Sequence, residues 1–289
     1  MSENEGAVRL NPPRRNFSHI AAQALKYVLL IVMGLVVLLP VLWMSLSAFR
    51  PADQITIYPP NFFPASWVMD NFQDVMDEIP ILTYAVNTAK YAVIVTAISL
   101  LFNSMAAYAF ARISFKGKNV IFTVLIASMM IPFQVIMIPL FMELHFMGLY
   151  DTYAGLIIPK CAAVVGIFFM RSFFYTLPRQ LEEAGRLDGL TEFGIFFRII
   201  LPLCKSALIT QVVLTLTGCW NDLLWPLLMI SSPEKRMLSN GIVYFVGQNI
   251  NEYGPAFAAG VVSIIPLLIM FILGQKYFVN SIVSTGMKE

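Results

Sequence analysis

Long apolar runs alternate with short polar segments along most of this 289-residue chain. An α-helix of about 20 predominantly apolar residues crosses the roughly 30 Å hydrocarbon core of a bilayer. The runs of that length are Tyr27–Phe49, Tyr84–Phe110, Val120–Met142, Tyr153–Phe174, Leu208–Ile230 and Ala256–Phe278. Because the backbone in lipid must satisfy its own hydrogen bonds, the pattern predicts an all-α integral membrane protein with six transmembrane helices.

The predicted spans form one domain over residues 26–289, preceded by a polar tail over residues 1–25. We expect the tail to be poorly ordered. The first span lacks a small-residue cleavage site, which indicates a retained helix rather than a signal peptide. Beyond it, the amphipathic and acidic stretch Asp70–Glu78 predicts a short helix outside the bilayer.

A polar segment over residues 178–202 separates the fourth predicted span from the fifth. Pro178 can begin a helix there, because a proline in the first turn loses no hydrogen bond. Gly189 can end that helix in the left-handed conformation. Thr191 can cap a second helix, which must stop by Pro202. We therefore predict two short helices outside the bilayer and call residues 178–202 the polar hairpin.

The charges are few and unevenly distributed: 12% of residues are charged, mean hydropathy is +0.74 and net charge is +2. The tail, the polar hairpin and alternate loops are basic: Arg9, Arg14, Arg15, Lys26, Arg112, Lys116, Lys118, Arg171, Arg179, Arg186, Arg198, Lys205, Lys276 and Lys288. The other loops hold three basic and nine acidic residues: Arg50, Lys235, Arg236, Asp53, Asp70, Asp74, Asp77, Glu78, Glu143, Asp151, Glu234 and Glu252. The positive-inside rule then places both termini and the polar hairpin in the cytoplasm.

The polar hairpin resembles the cytoplasmic loop of ATP-binding-cassette (ABC) importer permeases. The motif of that family is Glu-Ala-Ala, three residues, Gly, nine residues, then Ile-x-Leu-Pro. The matching residues here are Glu183, Ala184, Gly189, Ile199, Leu201 and Pro202. Gly185 stands where the family usually has alanine. Six fixed letters coincide by chance with a probability on the order of 10⁻⁷ per start position, so the match is specific.

Two further segments, Gly148–Pro159 and Trp220–Asp222, resemble the carbohydrate-uptake subgroup of these permeases, similar to the maltose-type system. The likeness extends from about Phe49 to Lys288. It implies half of a translocation path that imports a sugar or oligosaccharide by ATP-driven alternating access. The hairpin motif by itself also fits another polar solute, such as a glycerol phosphate, a polyol, an amino acid or a peptide.

The chain contains no Gly-x-x-x-x-Gly-Lys-[Ser/Thr] phosphate loop, so we expect ATP and Mg²⁺ on a separate subunit. The resemblance implies two ATPase subunits, a second homologous permease and an extracytoplasmic solute-binding protein, all assembled at a bacterial or archaeal plasma (inner) membrane. No nucleic-acid partner is expected. The family likeness makes Glu183 a charged contact with the ATPase, Leu187 an apolar one and Gly189 the elbow. Arg186 and Asp188 are candidates for flanking ion pairs.

Candidate substrate-path residues lie inside the apolar spans, where a charge is costly unless it faces water or a partner. Asp222, with Asn221, either hydrogen-bonds within the bundle or binds sugar hydroxyls. Trp220 either stacks on a sugar or lies at the membrane interface. Lys90 and Lys160 lie near the outer ends of their spans, where snorkelling is favoured over lining a cavity.

No catalytic or metal site is expected. His19 and His145 are far apart in the sequence, and the odd set of cysteines lies in apolar segments: Cys161, Cys204 and Cys219. A membrane enzyme would need a nucleophile beside a base, or a set of metal ligands. A stand-alone secondary transporter would usually show a charged relay or an internal repeat, and the sequence shows neither.

Overall fold

The computed structural model describes residues 17–59, 61–248 and 253–286. The first helices are α1 Phe17–Ser47, α2 Ala52–Ile55, α3 Asp70–Glu78 and α4 Ile81–Arg112. The next are α5 Lys118–Ser128, α6 Phe133–Phe146, α7 Tyr153–Ile157, continued by a 3₁₀ turn Ile158–Lys160, and α8 Val164–Thr176. The polar hairpin holds α9 Gln180–Leu187, α10 Glu192–Ile195, a π turn Phe196–Ile200 and α11 Leu201–Leu203. The last are α12 Lys205–Trp220, α13 Leu224–Met229, a 3₁₀ turn Pro233–Lys235, α14 Leu238–Gln248 and α15 Tyr253–Gly286.

No β-strand occurs in the described residues, so the predicted all-α fold is confirmed. Helix α1 begins at Phe17, earlier than the predicted end of the tail at residue 25. Residues 17–25 include three alanines, the strongest helix formers, which extend the first span toward the N-terminus. Residues 1–16 of the predicted tail and residues 60, 249–252 and 287–289 of the predicted domain lie outside the described residues. The predicted short helix Asp70–Glu78 is confirmed as α3.

Among the described residues, three helices are continuous and long enough to cross a membrane: α1, α4 and the part of α15 up to Leu273. The other three predicted spans are broken in the described residues, and two of them contain a proline at the break, Pro132 and Pro226. Helices α5 and α6 meet at 99°, and the α7 segment meets α8 at 40°. The fifth span ends at Trp220 and resumes as α13, while its start at Lys205 turns 82° from the preceding hairpin segment.

Proline explains the first of these breaks. Pro132 lies in extended conformation at the start of α6, with φ −59° and ψ 138°. It has no N–H to donate to the carbonyl of Ser128, and it biases the preceding Ile131 away from the helical region. Hydropathy stays high through this point, so the apolar run alone does not reveal the bend.

Helix α4 lies at the centre of the bundle and packs against α8 and α12. In the apolar membrane-spanning stretch of α4, 44% of the residues are buried. The corresponding share is 0% in α1 and 11% in α15. Near Arg112, α4 contributes to a core cluster that includes Phe174 and Ile200. Near Tyr91, it contributes to a second cluster around Trp225. Helix α4 therefore joins these two packed clusters, whereas most of α1 is exposed and apolar.

At the end of the bundle away from the polar hairpin, Asp151 fastens two loops together. Its carboxylate accepts hydrogen bonds from the backbone N–H groups of Ser231 and Ser232, each at 3.0 Å, and from the Ser232 hydroxyl at 2.5 Å. Lys235 Nζ lies 2.9 Å from Asp151 Oδ2. Asn87 of α4 donates to the Glu234 carbonyl at 2.8 Å, so the same loop is also fixed to the central helix.

Candidate functional site

The first helix of the polar hairpin presents the predicted contact residues outward. Glu183 and Ala184 are exposed, and the Leu187 side chain is 90% exposed. Gly189 follows the helix with φ +77°, the left-handed conformation expected of the elbow. Thr191 caps the second helix by accepting a hydrogen bond from the Gly194 N–H at 3.2 Å.

The boundaries of the two helices differ slightly from the prediction. Helix α9 begins at Gln180, two residues after Pro178. The second helical segment ends at Leu203 rather than at Pro202. The helical segment continues past Pro202 because the preceding π turn does not follow the regular α-helical hydrogen-bond pattern. There the Leu201 N–H donates to the Phe196 carbonyl, five residues back.

The inner face of the hairpin explains the departure from the family motif at Gly185. This glycine is buried, and a Cβ atom there would lie 2.7 Å from Cδ1 of Ile199 and 3.2 Å from Cγ1 of Ile195. Ile199 and Leu201 are half-buried and pack against the core cluster near Arg112, whereas Pro202 is exposed. Of the motif residues, therefore, Ile199 and Leu201 hold the second helix against the bundle.

A buried ion pair ties the hairpin to the transmembrane helices. Nε of Arg112, the last residue of α4, lies 3.0 Å from Oε1 of Glu182, and the two side chains are 2% and 4% exposed. The same guanidinium donates to the carbonyls of Phe174 and, at 2.7 Å, Leu177 at the end of α8. Burial raises the pKa of the Glu182 carboxyl, and the Arg112 charge opposes that rise. One side chain thus joins α4, α8 and α9.

A second set of polar contacts links the two hairpin helices. Arg186 Nε lies 2.9 Å from Glu192 Oε1, and its guanidinium also approaches Glu182 at 3.8 Å. Tyr108 of α4 donates its hydroxyl to Glu192 Oε2 at 2.9 Å. The structure therefore places Arg186 in ion pairs within the chain, whereas Asp188 is exposed beside the elbow.

Sequence reasoning missed Arg112, Glu182, Tyr108 and Glu192 as a connected set. Helical spacing could have indicated that Glu182 is buried, because Glu182 and Gly185 are three residues apart and share the buried face of α9. Arg112 gave no such signal, since its charge fitted the positive-inside pattern equally well.

Inside the bundle, the separately predicted charges Lys160 and Asp222 meet. Lys160 Nζ lies 3.0 Å from Asp222 Oδ2, with the side chains 27% and 13% exposed. Tyr91 donates its hydroxyl to the same oxygen at 3.0 Å, and Lys160 Nζ lies 4.5 Å from the ring centre of Phe133. We call these four residues the intramembrane cluster. Tyr91 is ten residues into α4, about 15 Å along its axis.

The breaks in three spans converge on this cluster. Phe133 begins α6 immediately after the first break, Lys160 immediately precedes the second, and Asp222 lies in the third. Pro226 has no N–H for the Asp222 carbonyl, which instead accepts a hydrogen bond from the Ser239 hydroxyl at 2.8 Å. Discontinuous helices around a polar site near mid-membrane are typical of transporter binding sites.

The remaining substrate-path candidates are placed as follows. Lys90 is exposed on α4, and Asn221 is exposed at the end of α12. Trp220 is half-buried, and its indole N–H donates to the Ser263 carbonyl at 3.1 Å. The snorkelling favoured for Lys160 is wrong, because this ammonium turns inward to a carboxylate in the bundle.

Broken spans around a paired charge, together with a helical hairpin fastened to the central helix, define a multi-span membrane transport subunit. The chain belongs to the family of binding-protein-dependent transport system inner membrane components, whose model matches residues 99–283. It is a permease component of an ABC importer, a transport subunit and not an enzyme.

Relatives from several bacteria resemble the chain over most of their length. It is 35% identical to the arabinooligosaccharides transport system permease protein AraQ of Halalkalibacterium halodurans, covering 86% of this chain and 90% of the relative. It is 29% identical to the diacetylchitobiose uptake system permease protein NgcG of Streptomyces coelicolor, covering 90% and 87%. A crystal structure of a bacterial ABC transporter involved in importing the acidic polysaccharide alginate matches with a TM-score of 0.80 at 26% identity, covering 92% of this chain and 100% of the other.

Proposed function

We propose that this chain forms half of the translocation path for a sugar or oligosaccharide and works by ATP-driven alternating access. The observation that carries the proposal is the continuity of α4. Its Arg112 end holds the polar hairpin through Glu182, and its Tyr91 contacts Asp222 in the intramembrane cluster. About 30 Å of unbroken helix joins the two sites. Relatives named for arabinooligosaccharides and diacetylchitobiose support sugar as the solute.

The proposed assembly contains two ATPase subunits, a second homologous permease and an extracytoplasmic solute-binding protein. ATP and Mg²⁺ belong to the ATPases, because this chain has no phosphate loop. Lipid and the second permease cover the apolar outer faces of α1 and α15. Both termini and the polar hairpin lie in the cytoplasm, in agreement with the distribution of basic residues.

Docking of the ATPase rests on the outer face of α9. Leu187 fills an apolar groove of the ATPase, Glu183 makes the charged contact, and Gly189 allows the sharp turn behind them. Ala184 completes the small, exposed surface on this face. The exposed tip is available to a partner because Glu182 and Gly185 hold the opposite face against the bundle.

Closure of the ATPases on ATP moves the hairpin, and Arg112 transfers that movement to α4 and α8. The free energy of coupling is the difference in ATPase affinity between the two permease conformations. In the intramembrane cluster, Asp222 accepts hydrogen bonds from sugar hydroxyls and Lys160 donates to them. Trp220, Asn221 and Lys90 lie farther along the same proposed path.

The test replaces the outer face of α9 and leaves its buried face intact. We expect Glu183→Ala/Leu187→Asp to lose most ATPase association and uptake while the permease still inserts in the membrane. Phe146→Asp is the matched control, because Phe146 is 93% exposed at the other end of the bundle. The measurements are co-purification of the ATPase and uptake of labelled sugars in proteoliposomes.

Full uptake by the double variant would contradict the docking assignment. Uptake of a glycerol phosphate, a polyol, an amino acid or a peptide in place of every sugar would contradict the proposed solute class. Uptake without any ATPase subunit would indicate a secondary transporter.

A further inference from the structure

The intramembrane cluster contains one cation and one anion, and they neutralise each other. Lys160 Nζ and Asp222 Oδ2 are 3.0 Å apart, and in the part of the chain that the structure describes neither side chain forms another ion pair. Tyr91 and Phe133 complete the cluster as uncharged rings. A solute that passes this point therefore meets hydrogen-bonding groups with no net charge.

Such a cluster treats neutral and acidic sugars differently. A neutral hydroxyl can donate to the Asp222 carboxylate and accept from Lys160, so it uses both members of the pair. A carboxylate on the sugar can only accept, so it must compete with Asp222 for Lys160 and is repelled by Asp222. The like charge is a repulsive element of the kind that generates specificity against one class of ligand.

The geometry points to Asp222 as the residue that makes this path selective for neutral oligosaccharides over acidic ones. This inference rests on the proposed function as a sugar permease, and it assigns the substrate class. The fold by itself does not decide the matter, since a similar chain belongs to a transporter involved in importing an acidic polysaccharide. The deciding feature is whether the lysine of the cluster is neutralised.

The experiment is a charge series in the complete complex of permeases, ATPases and binding protein. Asp222→Asn leaves Lys160 without its counter-ion, Lys160→Gln leaves Asp222 without its own, and the double variant removes both charges. The probes are arabinotriose, diacetylchitobiose and lactose, each beside its C1-oxidised aldonate. Uptake into proteoliposomes is divided by the fraction of binding protein loaded with each probe, which removes the selectivity of that protein.

We expect the wild-type complex to take up the neutral form of its sugar about tenfold faster than the aldonate. Asp222→Asn should raise the aldonate-to-neutral ratio about tenfold, because the freed ammonium then attracts the carboxylate. Lys160→Gln should not raise that ratio, and the double variant, which has neither the attracting ammonium nor the repelling carboxylate, should give a ratio between those of the wild type and Asp222→Asn. The double variant also controls for a packing effect, because it lacks the same aspartate but has no free cation.

Equal uptake of both forms by the wild-type complex would overturn the inference and leave the sugar permease assignment standing. A well-assembled Asp222→Asn complex with an unchanged ratio would overturn it equally, and so would a double variant that keeps the raised ratio. A wild-type complex that hydrolyses ATP but takes up neither form of any pair would contradict the proposed function itself.

Discussion

At the scale of single residues, the adjacent glutamates Glu182 and Glu183 illustrate how one helix serves two purposes. Glu182 is buried against Arg112, whereas Glu183 points outward beside Leu187. The motif match in the sequence identified Glu183 but gave no role to Glu182. Burial distinguishes them, and burial depends on how α9 docks on α4, which no local pattern specifies.

This difference predicts opposite phenotypes for the same chemical change. Glu182→Gln leaves the Arg112 guanidinium buried without its counter-ion, so the free energy of unfolding should fall by about 3 kcal/mol. Glu183→Gln should leave stability unchanged and weaken ATPase binding. Thermal unfolding in detergent and co-purification of the ATPase measure the two effects. Equal losses of stability in both variants would contradict the assigned orientation of α9.

Asp151 supports a prediction about pH. Hydrogen bonds from the Ser232 hydroxyl, the backbone at Ser231 and Ser232, and Lys235 hold the pKa of Asp151 well below its usual range, although burial opposes them. A lowered folded-state pKa stabilises the fold above the unfolded pKa of about 4, and that stabilisation is lost as the pH falls through the folded-state value.

We therefore expect Asp151→Asn to lower the free energy of unfolding by about 2 kcal/mol at pH 7 and by the same amount at pH 5. The difference from wild type should shrink only below about pH 4. Asp53→Asn, at an exposed acid on α2, is the control and should have little effect. Thermal unfolding across this pH range provides the measurement. If the stability difference between wild type and Asp151→Asn vanished between pH 7 and pH 5, the role of Asp151 in fastening the two loops would be refuted.

At the scale of elements, hydropathy located the spans but not their breaks. The run around Pro132 is apolar throughout, and only its proline indicates a bend; at Asp222, Pro226 indicates a possible helix break. The break at Asp222 depends on the missing N–H of Pro226 and on the Ser239 hydroxyl, which lies 17 residues away in sequence. Long-range partners of this kind are invisible to periodicity. The charges Lys160 and Asp222 were nevertheless visible as anomalies, because ionised groups in apolar spans are expensive.

Helix α4 carries the prediction at the scale of elements. Arg112→Lys keeps the charge but loses the planar fork that reaches Glu182 and the α8 carbonyls together. We expect the assembled complex to hydrolyse ATP while uptake per ATP falls about tenfold, a typical allosteric coupling. Lys118→Gln is the control, because Lys118 lies near the same end and, among the described residues, donates to the Ala111 and Ile113 carbonyls alone. Unchanged uptake per ATP in Arg112→Lys would exclude this route of coupling.

At the scale of the whole molecule, composition and charge predicted an all-α membrane protein, and the fold and family confirm this. The motif in the polar hairpin led to the correct family because its residues are local in sequence. How the two sites are joined could not be predicted, since that depends on α4 running from one core cluster to the other.

The proposed mechanism requires that the outer face of the polar hairpin binds the ATPase. Photo-cross-linking from a benzoylphenylalanine placed at Leu187 or at Phe146 tests it most directly, because these apolar side chains are 90% and 93% exposed at opposite ends of the bundle. We expect position 187 to capture the ATPase subunit in the intact complex and position 146 not to do so. Capture of the ATPase from position 146, or from neither position while the complex stays assembled, would contradict it.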